Sequence, residues 1–273
     1  MDRAGKDYWQ ASWTREALPP RIDPESPNLS ACVERSIAAR FDDIVRDVPR
    51  GASFLEVGSG HSAWLPFAAT RWGFRVTGID YTTLGVETSL AMLAREKVVG
   101  DVVLADMFHP PDALRSSFDV VFSNGVIEHF EDTSHAVSAL RDLVRPGGLV
   151  ITMIPNVTGS VGLATKVLSR KVYDAHVPLT REDLRAGHER AGLEIVSCEY
   201  LLSTNFGVVD LGERARFPGE LFRRAALRLL VDTSRLVWLI ESKTRPAPAT
   251  KAFSPLVLCV ARRPREPTVA ERP

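Results

Sequence analysis

The stretch Ser53-Phe-Leu-Glu-Val-Gly-Ser-Gly-His-Ser62 decides the fold. Its first five residues form a mostly apolar run that predicts a buried strand, and the run stops at Gly58. Gly58, Gly60 and Ala63 have the spacing at which small residues let the backbone approach a ligand where a helix begins. A second strand ends in Asp80, 20 residues beyond Gly60, where a carboxylate can accept hydrogen bonds from ribose hydroxyls. This order of elements predicts a nucleotide-type cofactor site.

Two further acidic residues favour a cationic cofactor over a dinucleotide. Glu56 lies beside the glycines, where a carboxylate would repel a pyrophosphate but attract an ammonium or a sulfonium group. A third strand-like run, residues 102–105, leads to Asp106 and Met107. The carboxylate can accept a hydrogen bond from an adenine amino group, and the thioether can pack against the ring. An alternative stays open, because an acid at a strand end is often only a helix cap.

A fourth run, Phe118-Asp-Val-Val-Phe-Ser-Asn-Gly-Val-Ile-Glu-His-Phe130, precedes a helical segment and the block Leu143-Val-Arg-Pro-Gly-Gly-Leu-Val-Ile-Thr152. In this order, residues 53–196 resemble the class I S-adenosylmethionine-dependent methyltransferases, particularly the small-molecule group that includes ubiquinone-biosynthesis O-methyltransferases. The resemblance implies a Rossmann-like methyltransferase fold and S-adenosylmethionine as the cofactor. It assigns Glu56, Gly58, Ser59 and Gly60 to the methionyl end, Asp80 and Tyr81 to the ribose, Asp106 and Met107 to the adenine, and Asn124 and Gly125 to the surroundings of the methyl group. His61 follows the glycine loop and is expected on the cofactor side.

The alternation of strands and helices predicts an α/β fold with a doubly wound, seven-stranded, mainly parallel sheet. Strands are expected at 53–57, 75–79, 102–105, 119–123, 149–154, 194–202 and 254–261, and helices at 29–48, 62–72, 83–96 and 131–144. The resemblance implies that the last strand runs antiparallel. Thr180 and Asp183 form a capping-box variant that opens a further helix. One methyltransferase domain, residues 49–262, is expected with insertions near 156–178 and 204–250.

The two ends of the chain lie outside this pattern. Residues 1–48 are expected to form an arm and a helix, with Ser30 as its cap. The arm carries Tyr8, Trp9 and Trp13 among charges and prolines, so it reads as irregular and docked, either by plain packing or as a lid over the active site. The charged, proline-rich residues 263–273 are expected to be disordered.

The insertion at 204–250 contains two apolar and basic segments, residues 220–231 and 234–240. Such a segment can lie on a membrane surface or meet a lipid-like acceptor. Packing against the sheet or against a second subunit is the favoured prediction, so a homodimer is expected as one outcome.

Two histidines are candidate general bases for a hydroxyl acceptor, because imidazole titrates near neutral pH. His129 follows the fourth strand and His176 ends the first insertion, but each can instead have a structural role. In ubiquinone-type relatives the stretch around His129 reads Glu-x-x-Glu-His and can bind a divalent metal. Gly125 replaces the first glutamate here, and Glu128 with His129 gives too few ligands, so no required metal is expected.

Composition narrows the remaining possibilities. Basic and acidic residues both number 34, so the formal net charge is zero and no nucleic-acid partner is expected. No run approaches the length that crosses a bilayer, the first residues lack a secretion signal, and Cys32, Cys198 and Cys259 are expected to be buried thiols. A cytoplasmic methyltransferase acting on oxygen, nitrogen or carbon of a small molecule, such as a natural product or lipid-like acceptor, is the leading hypothesis. The alternatives are a nicotinamide-dependent oxidoreductase and a noncatalytic binding protein of the same fold.

Overall fold

A computed structural model describes residues 2–12, 18–212 and 219–265 of the chain. Its strands are β1 (Ser53–Val57), β2 (Arg75–Asp80), β3 (Gly100–Leu104), β4 (Phe118–Asn124), β5 (Val144–Pro155), β6 (Glu194–Leu201) and β7 (Leu256–Arg262). They form one sheet with the order β3-β2-β1-β4-β5-β7-β6. β7 runs antiparallel to β5 and β6, whereas the pairs from β3 to β5 are parallel. The predicted doubly wound, seven-stranded, mainly parallel sheet is confirmed.

The helices follow the expected alternation with shifted ends. They are α1 (Gly5–Ser12), α2 (Ala31–Ile44), α3 (Trp64–Trp72), α4 (Thr83–Arg95), α5 (Thr133–Leu143), α6 (Ser160–Leu168), α7 (Arg170–Asp174), α8 (Arg181–Arg190) and α9 (Glu220–Glu241). The predicted capping box is present: the Thr180 hydroxyl accepts from the Asp183 amide, and the Asp183 carboxylate accepts from the Thr180 amide.

Three expectations about helices and side chains were wrong. Ser30 has helical backbone angles and makes no side-chain capping bond, so it does not cap α2. The arm is not wholly irregular, because α1 is a helix. Of the cysteines, Cys259 is buried, but Cys32 and Cys198 are only half-buried. The two apolar and basic segments of the second insertion lie together in the 22-residue helix α9. Trp13 and residues 266–273 of the expected tail lie outside the described residues.

Both faces of the sheet are covered. Side chains of β1 alternate between two hydrophobic cores: Phe54 packs on the side of α2 and α3, and Leu55 packs on the side of α5 and α8. The first core contains an aromatic cluster in which Phe41 stacks on Trp64 and Trp72. Because β1 to β4 are parallel, the residues that follow each of them meet at one edge of the sheet. That edge is where the cofactor residues were expected.

Candidate functional site

A cavity of about 610 Å³ lies at the carboxyl ends of β1 to β4, and it is called the large cavity below. It contains most of the residues that the sequence predicted. Those that line it are Gly58, Gly60, His61, Asp80, Tyr81, Asp106, Met107, Asn124, Gly125 and His129. Glu56, Ser59 and His176 were also expected at the site but are not among its lining residues.

The glycine loop lies against the end of β2. The amides of Gly58 and Ser59 both donate to the carbonyl of Ile79, at 2.9 and 3.1 Å. Gly58 has a φ of +72°, and a Cβ placed there would lie 2.6 Å from Cγ2 of Val126. Glycine is therefore required at this position, both for its backbone conformation and for its lack of a side chain. His61 also adopts a positive φ of 59° as the chain turns into α3.

Asp80 connects β2 to the glycine loop. One carboxylate oxygen accepts from the Gly60 amide at 2.9 Å, and the other accepts from the amide and hydroxyl of Thr82 at 2.8 and 2.7 Å. The side chain is only 2% exposed, and burial raises the pKa of the carboxyl above its usual range. Oδ1 already accepts two hydrogen bonds from Thr82, whereas Oδ2 accepts one from Gly60 among the described residues. Oδ2 therefore keeps a lone pair for a ligand hydroxyl while Asp80 holds the loop.

Glu56 lies behind the glycine loop. The Ser62 hydroxyl donates to its Oε1 at 2.6 Å, whereas the buried Oε2 has no hydrogen-bond partner within the described part of the chain. Burial raises the pKa of Glu56 to about 8. The Ser62 oxygen in turn accepts from the Trp64 amide at 3.2 Å, which fixes the start of α3. Glu56 thus orders the glycine loop through Ser62. Ser59 is fully buried, and its carbonyl and hydroxyl oxygens accept from the Ser89 hydroxyl of α4.

An acidic and aromatic wall closes the other side of the large cavity. Asp106 accepts from the Phe108 amide at 2.9 Å, and Met107 beside it is buried. Asp106 therefore both caps a local turn and lines the cavity, so its two interpretations are compatible. Phe108 stacks on His135 with ring centroids 4.8 Å apart and meets Phe130 edge-on. The sequence analysis missed these three rings, although the aromatic residue directly after Met107 was a local signal.

The N-terminal segment covers the large cavity. Asp2 and Trp9 both line it, and Asp2 accepts from the Tyr81 hydroxyl at 3.3 Å. The Arg3 amide donates to the His129 carbonyl at 2.9 Å, and its guanidinium donates to the His176 carbonyl at 3.0 Å. These long-range contacts place α1 beside both candidate catalytic histidines.

A second cavity of about 390 Å³ adjoins the first and is called the small cavity below. Trp9, Asn124, Gly125 and His129 line both cavities. The remainder of the small cavity is largely apolar, with a few polar groups from distant elements. Its other lining residues are Ile22, Val33, Glu34, Ile37, Trp64, Glu128, Met153, Pro155, His176, Asn205, Val208 and Leu256.

Glu128, His129 and His176 form one group at the small cavity, the Glu128 cluster. One ligand atom from each of the three residues lies within 4.8 Å of the others. The carbonyls of Ala175 and Val172 accept from Nδ1 of His129 and of His176, at 2.8 and 2.7 Å. Each bond fixes the proton on Nδ1 and leaves a lone pair on Nε2.

The electrostatics of the Glu128 cluster follow from its burial. Burial raises the pKa of Glu128 to about 8 and lowers that of His129 to about 4, while the pKa of His176 is also lowered. An imidazole whose pKa is lowered stays neutral at pH 7, where it is a weak base but can serve as a metal ligand. From the sequence, Glu128 and His129 were the two expected ligands, which was too few for a metal site. The structure adds His176 as a third. Only the fold reveals this, because His176 lies 47 residues beyond His129.

Comparisons with known proteins agree with this geometry. A family model described as a methyltransferase domain matches residues 31–198, which is more than half of the chain. The ubiquinone biosynthesis O-methyltransferase of Brucella ovis is 28% identical over 184 residues, covering 63% of this chain and 72% of that protein.

Solved structures share the fold. Geranyl diphosphate C-methyltransferase from Streptomyces coelicolor A3(2), solved with Mg²⁺, geranyl diphosphate and S-adenosyl-L-homocysteine, matches with a TM-score of 0.55 at 13% identity. The match covers 94% of this chain and 96% of that one. Phosphoethanolamine N-methyltransferase 2 from Haemonchus contortus, in complex with S-adenosyl-L-methionine, gives 0.55 at 19% identity. That match covers 84% of this chain but spans only 53% of the other, about half of its length.

Proposed function

The chain belongs to the class I S-adenosylmethionine-dependent methyltransferase family, and from this premise we propose that the large cavity holds S-adenosylmethionine while the small cavity receives the methyl acceptor. The observation that carries the proposal is the wall that the two cavities share. Asn124, Gly125 and His129 border both spaces, at the end of β4. A methyl group held on one side of this wall would face an acceptor atom on the other.

Methyl transfer is an in-line displacement at a carbon that the sulfonium already activates. The protein must mainly align the acceptor, the methyl carbon and the sulfur, and must exclude water. We assign the second task to residues 2–12, as a lid, because Asp2 and Trp9 line the cavity wall while Arg3 bonds to the backbone at His129 and His176. In this proposal residues 1–48 form the arm and helix that complete domain 49–262.

The cofactor assignments are supported by position. Asp80 would accept from the ribose hydroxyls with Tyr81 beside it, and Asp106 with Met107 would hold the adenine. Gly58, Gly60 and His61 line the cavity where the methionyl end belongs. We revise the role of Glu56 and Ser59: both lie behind the loop, so they would position it and act on the ligand through charge and geometry.

We propose a small, largely apolar acceptor that carries a hydroxyl group. Apolar side chains such as Ile37, Met153 and Leu256 line the small cavity, and Asn205 and Glu34 offer polar contacts. The similarity to a ubiquinone biosynthesis O-methyltransferase supports an oxygen acceptor. His129 and His176 would contact that oxygen or a group bound to it.

Calorimetry and a transfer assay test this function. S-adenosylhomocysteine should bind at one site per chain and NADH should not bind, which separates the proposal from an oxidoreductase. Radiolabelled S-adenosylmethionine should label hydroxylated apolar acceptors in preference to amines. Tight cofactor binding without transfer to any member of a broad acceptor library would favour a noncatalytic protein instead.

The partner proposals concern α9. One face packs through Ser234 and Trp238, while an apolar stripe on the other is exposed. The stripe consists of Leu221, Phe222, Leu229, Leu236, Leu239 and Ile240. An ion pair between Asp232 and Arg235, 2.9 Å long, lies near the middle of the helix. An antiparallel pair of α9 helices would bring these opposite charges within reach of each other, so we propose a homodimer through this face.

Light scattering of the purified chain tests the dimer. Wild type should have twice the mass of one chain, and the double variant L229E/L236E should be monomeric. A monomeric wild type that sediments with anionic vesicles would support membrane binding instead.

Among the described helices, none is long and apolar enough to span a bilayer. The balanced charge supports the absence of a nucleic-acid partner, and the free thiols support a reducing cytoplasmic location.

A further inference from the structure

The Glu128 cluster contains a buried acid whose hydrogen-bonding capacity is not used. Glu128 is 1% exposed, and among the described residues neither of its carboxylate oxygens has a hydrogen-bond partner. A buried carboxylate without partners is costly, so such a group either stays protonated, pairs with a cation or coordinates a metal. One candidate partner is Nε2 of His129, 4.0 Å from Oε1. That separation is too long for a hydrogen bond and leaves space between the two atoms.

Both histidines of the cluster are prepared to act as ligands. In metal sites a coordinating imidazole usually donates its other N–H to a carbonyl or carboxylate, which fixes the tautomer and the ring orientation. Ala175 and Val172 supply such carbonyls to His129 and His176. The two rings lie 4.7 Å apart, centroid to centroid. Their Nε2 atoms and the Glu128 carboxylate are the ligand atoms that remain.

We propose that Glu128, His129 and His176 bind a divalent transition metal such as Zn²⁺ beside the small cavity, which all three residues line. Three protein ligands with an open position are the usual set in catalytic zinc sites. Ligands about 2.0–2.1 Å from a tetrahedral ion lie about 3.3 Å from one another. The three ligand atoms here lie within 4.8 Å of one another, so binding would draw them together by up to about 1.5 Å. The shift falls within the reach of side-chain rotation.

The donor set distinguishes this site from the Glu-x-x-Glu-His pattern. That pattern offers two carboxylates and one imidazole, whereas this chain has Gly125 in place of the first glutamate and adds His176 from another element. Two nitrogens and one oxygen favour zinc, cobalt or iron, while magnesium prefers oxygen ligands. The expectation of no metal thus depended on a ligand count that the fold changes.

Metal binding can be measured without activity. The full chain, freed of any affinity tag and stripped with a chelator, is dialysed against Zn²⁺, Co²⁺ or Mg²⁺ and analysed for bound metal. One Zn²⁺ per chain should bind, Mg²⁺ should not compete at millimolar concentration, and Co²⁺ should give visible absorption typical of four or five ligands. H176A and E128Q should each weaken zinc binding by at least about 100-fold, and the exposed-histidine control H109A should leave it unchanged.

The outcomes separate this site from the proposed function. Binding of S-adenosylhomocysteine, measured on the same samples, reports that each variant is folded and that the large cavity is intact. The metal proposal is overturned if wild type binds no stoichiometric Zn²⁺ or Co²⁺, or if folded H176A and E128Q bind as tightly as wild type. Loss of cofactor binding in wild type would instead refute the methyltransferase assignment and leave the metal result standing.

Discussion

Replacing Glu56 by Gln should stabilise the ligand-free protein while weakening its hold on S-adenosylmethionine. Glu56 is 1% exposed; its Oε1 accepts from the Ser62 hydroxyl, and among the described residues its Oε2 has no hydrogen-bond partner. Burial raises the pKa of this carboxyl to about 8, from an ordinary 4.5. At pH 7 the folded, ligand-free chain therefore keeps Glu56 protonated, whereas the unfolded chain ionises it.

The sign and size of the effect follow from proton linkage. Since the folded pKa is the higher one, the favourable contribution is complete below pH 4.5 and is lost progressively as pH rises towards 8. Neutral pH lies about 2.5 pH units above the unfolded pKa, and each unit is worth about 1.36 kcal/mol, so the free energy of unfolding drops by about 3 kcal/mol. Gln cannot ionise and has nearly the same shape. E56Q should therefore be more stable than wild type by about that amount at pH 7 and equal to it near pH 4.5.

Urea unfolding of ligand-free wild type and E56Q at several values between pH 4.5 and 8.5 measures this difference. Calorimetry at pH 7 should show E56Q binding S-adenosylmethionine at least about tenfold more weakly, because the cationic ligand favours an ionised carboxylate nearby. Glu194 begins β6 and is exposed, so E194Q is the matched control and should change neither quantity. A stability difference that does not vary with pH, or unchanged affinity in E56Q, would refute this account of Glu56.

Three further changes test the large cavity. D80N should lower the free energy of unfolding, measured with urea, by about 2 kcal/mol and should weaken S-adenosylhomocysteine binding at least about tenfold. The cause is that the NH₂ group of the asparagine must face the amide donor of either Gly60 or Thr82. Asp101 is exposed, so D101N is the matched control. G85A should lower the affinity for S-adenosylhomocysteine about tenfold, because the new Cβ would collide with the carboxyl group of Asp80. An affinity equal to that of wild type in calorimetry would contradict this. W9A removes the edge-on contact between Trp9 and His129, so it should speed cofactor release by up to about tenfold in stopped-flow measurements. A release rate equal to that of wild type would argue against residues 2–12 as a lid.

The sheet and the glycine loop were predictable because their signals are local. Apolar runs of strand length, a glycine with positive φ at Gly58 and a capping box at Thr180 each depend on neighbours in sequence. The prediction of a cap at Ser30 failed because it too used only the local residue type. Serine is a common N-cap residue, but Ser30 has helical backbone angles and its side chain makes no capping bond.

Long-range contacts explain what the sequence could not reveal about the site. Trp9 was recognised as an anchor, but its contact with His129 depends on where α1 packs in the folded chain. Glu56 was expected to touch the ligand, yet β1 directs it behind the loop, where Ser62 holds it. His176 was found as a candidate base, but its joining of Glu128 appears only when the chain is folded.

Gly125 connects the two cavities to the Glu128 cluster. It directly follows β4 with a φ of +69°, borders both cavities, and a Cβ placed on it would lie 3.7 Å from Oε1 of Glu128. A glutamate there would thus enter both the wall between the cavities and the space beside the cluster. With glycine the wall stays thin, and the third ligand can come from the other side, where His176 follows α7. The absent first glutamate and the added histidine are therefore two parts of one arrangement, in which His176 of the insertion at 156–178 both lines the small cavity and joins the cluster.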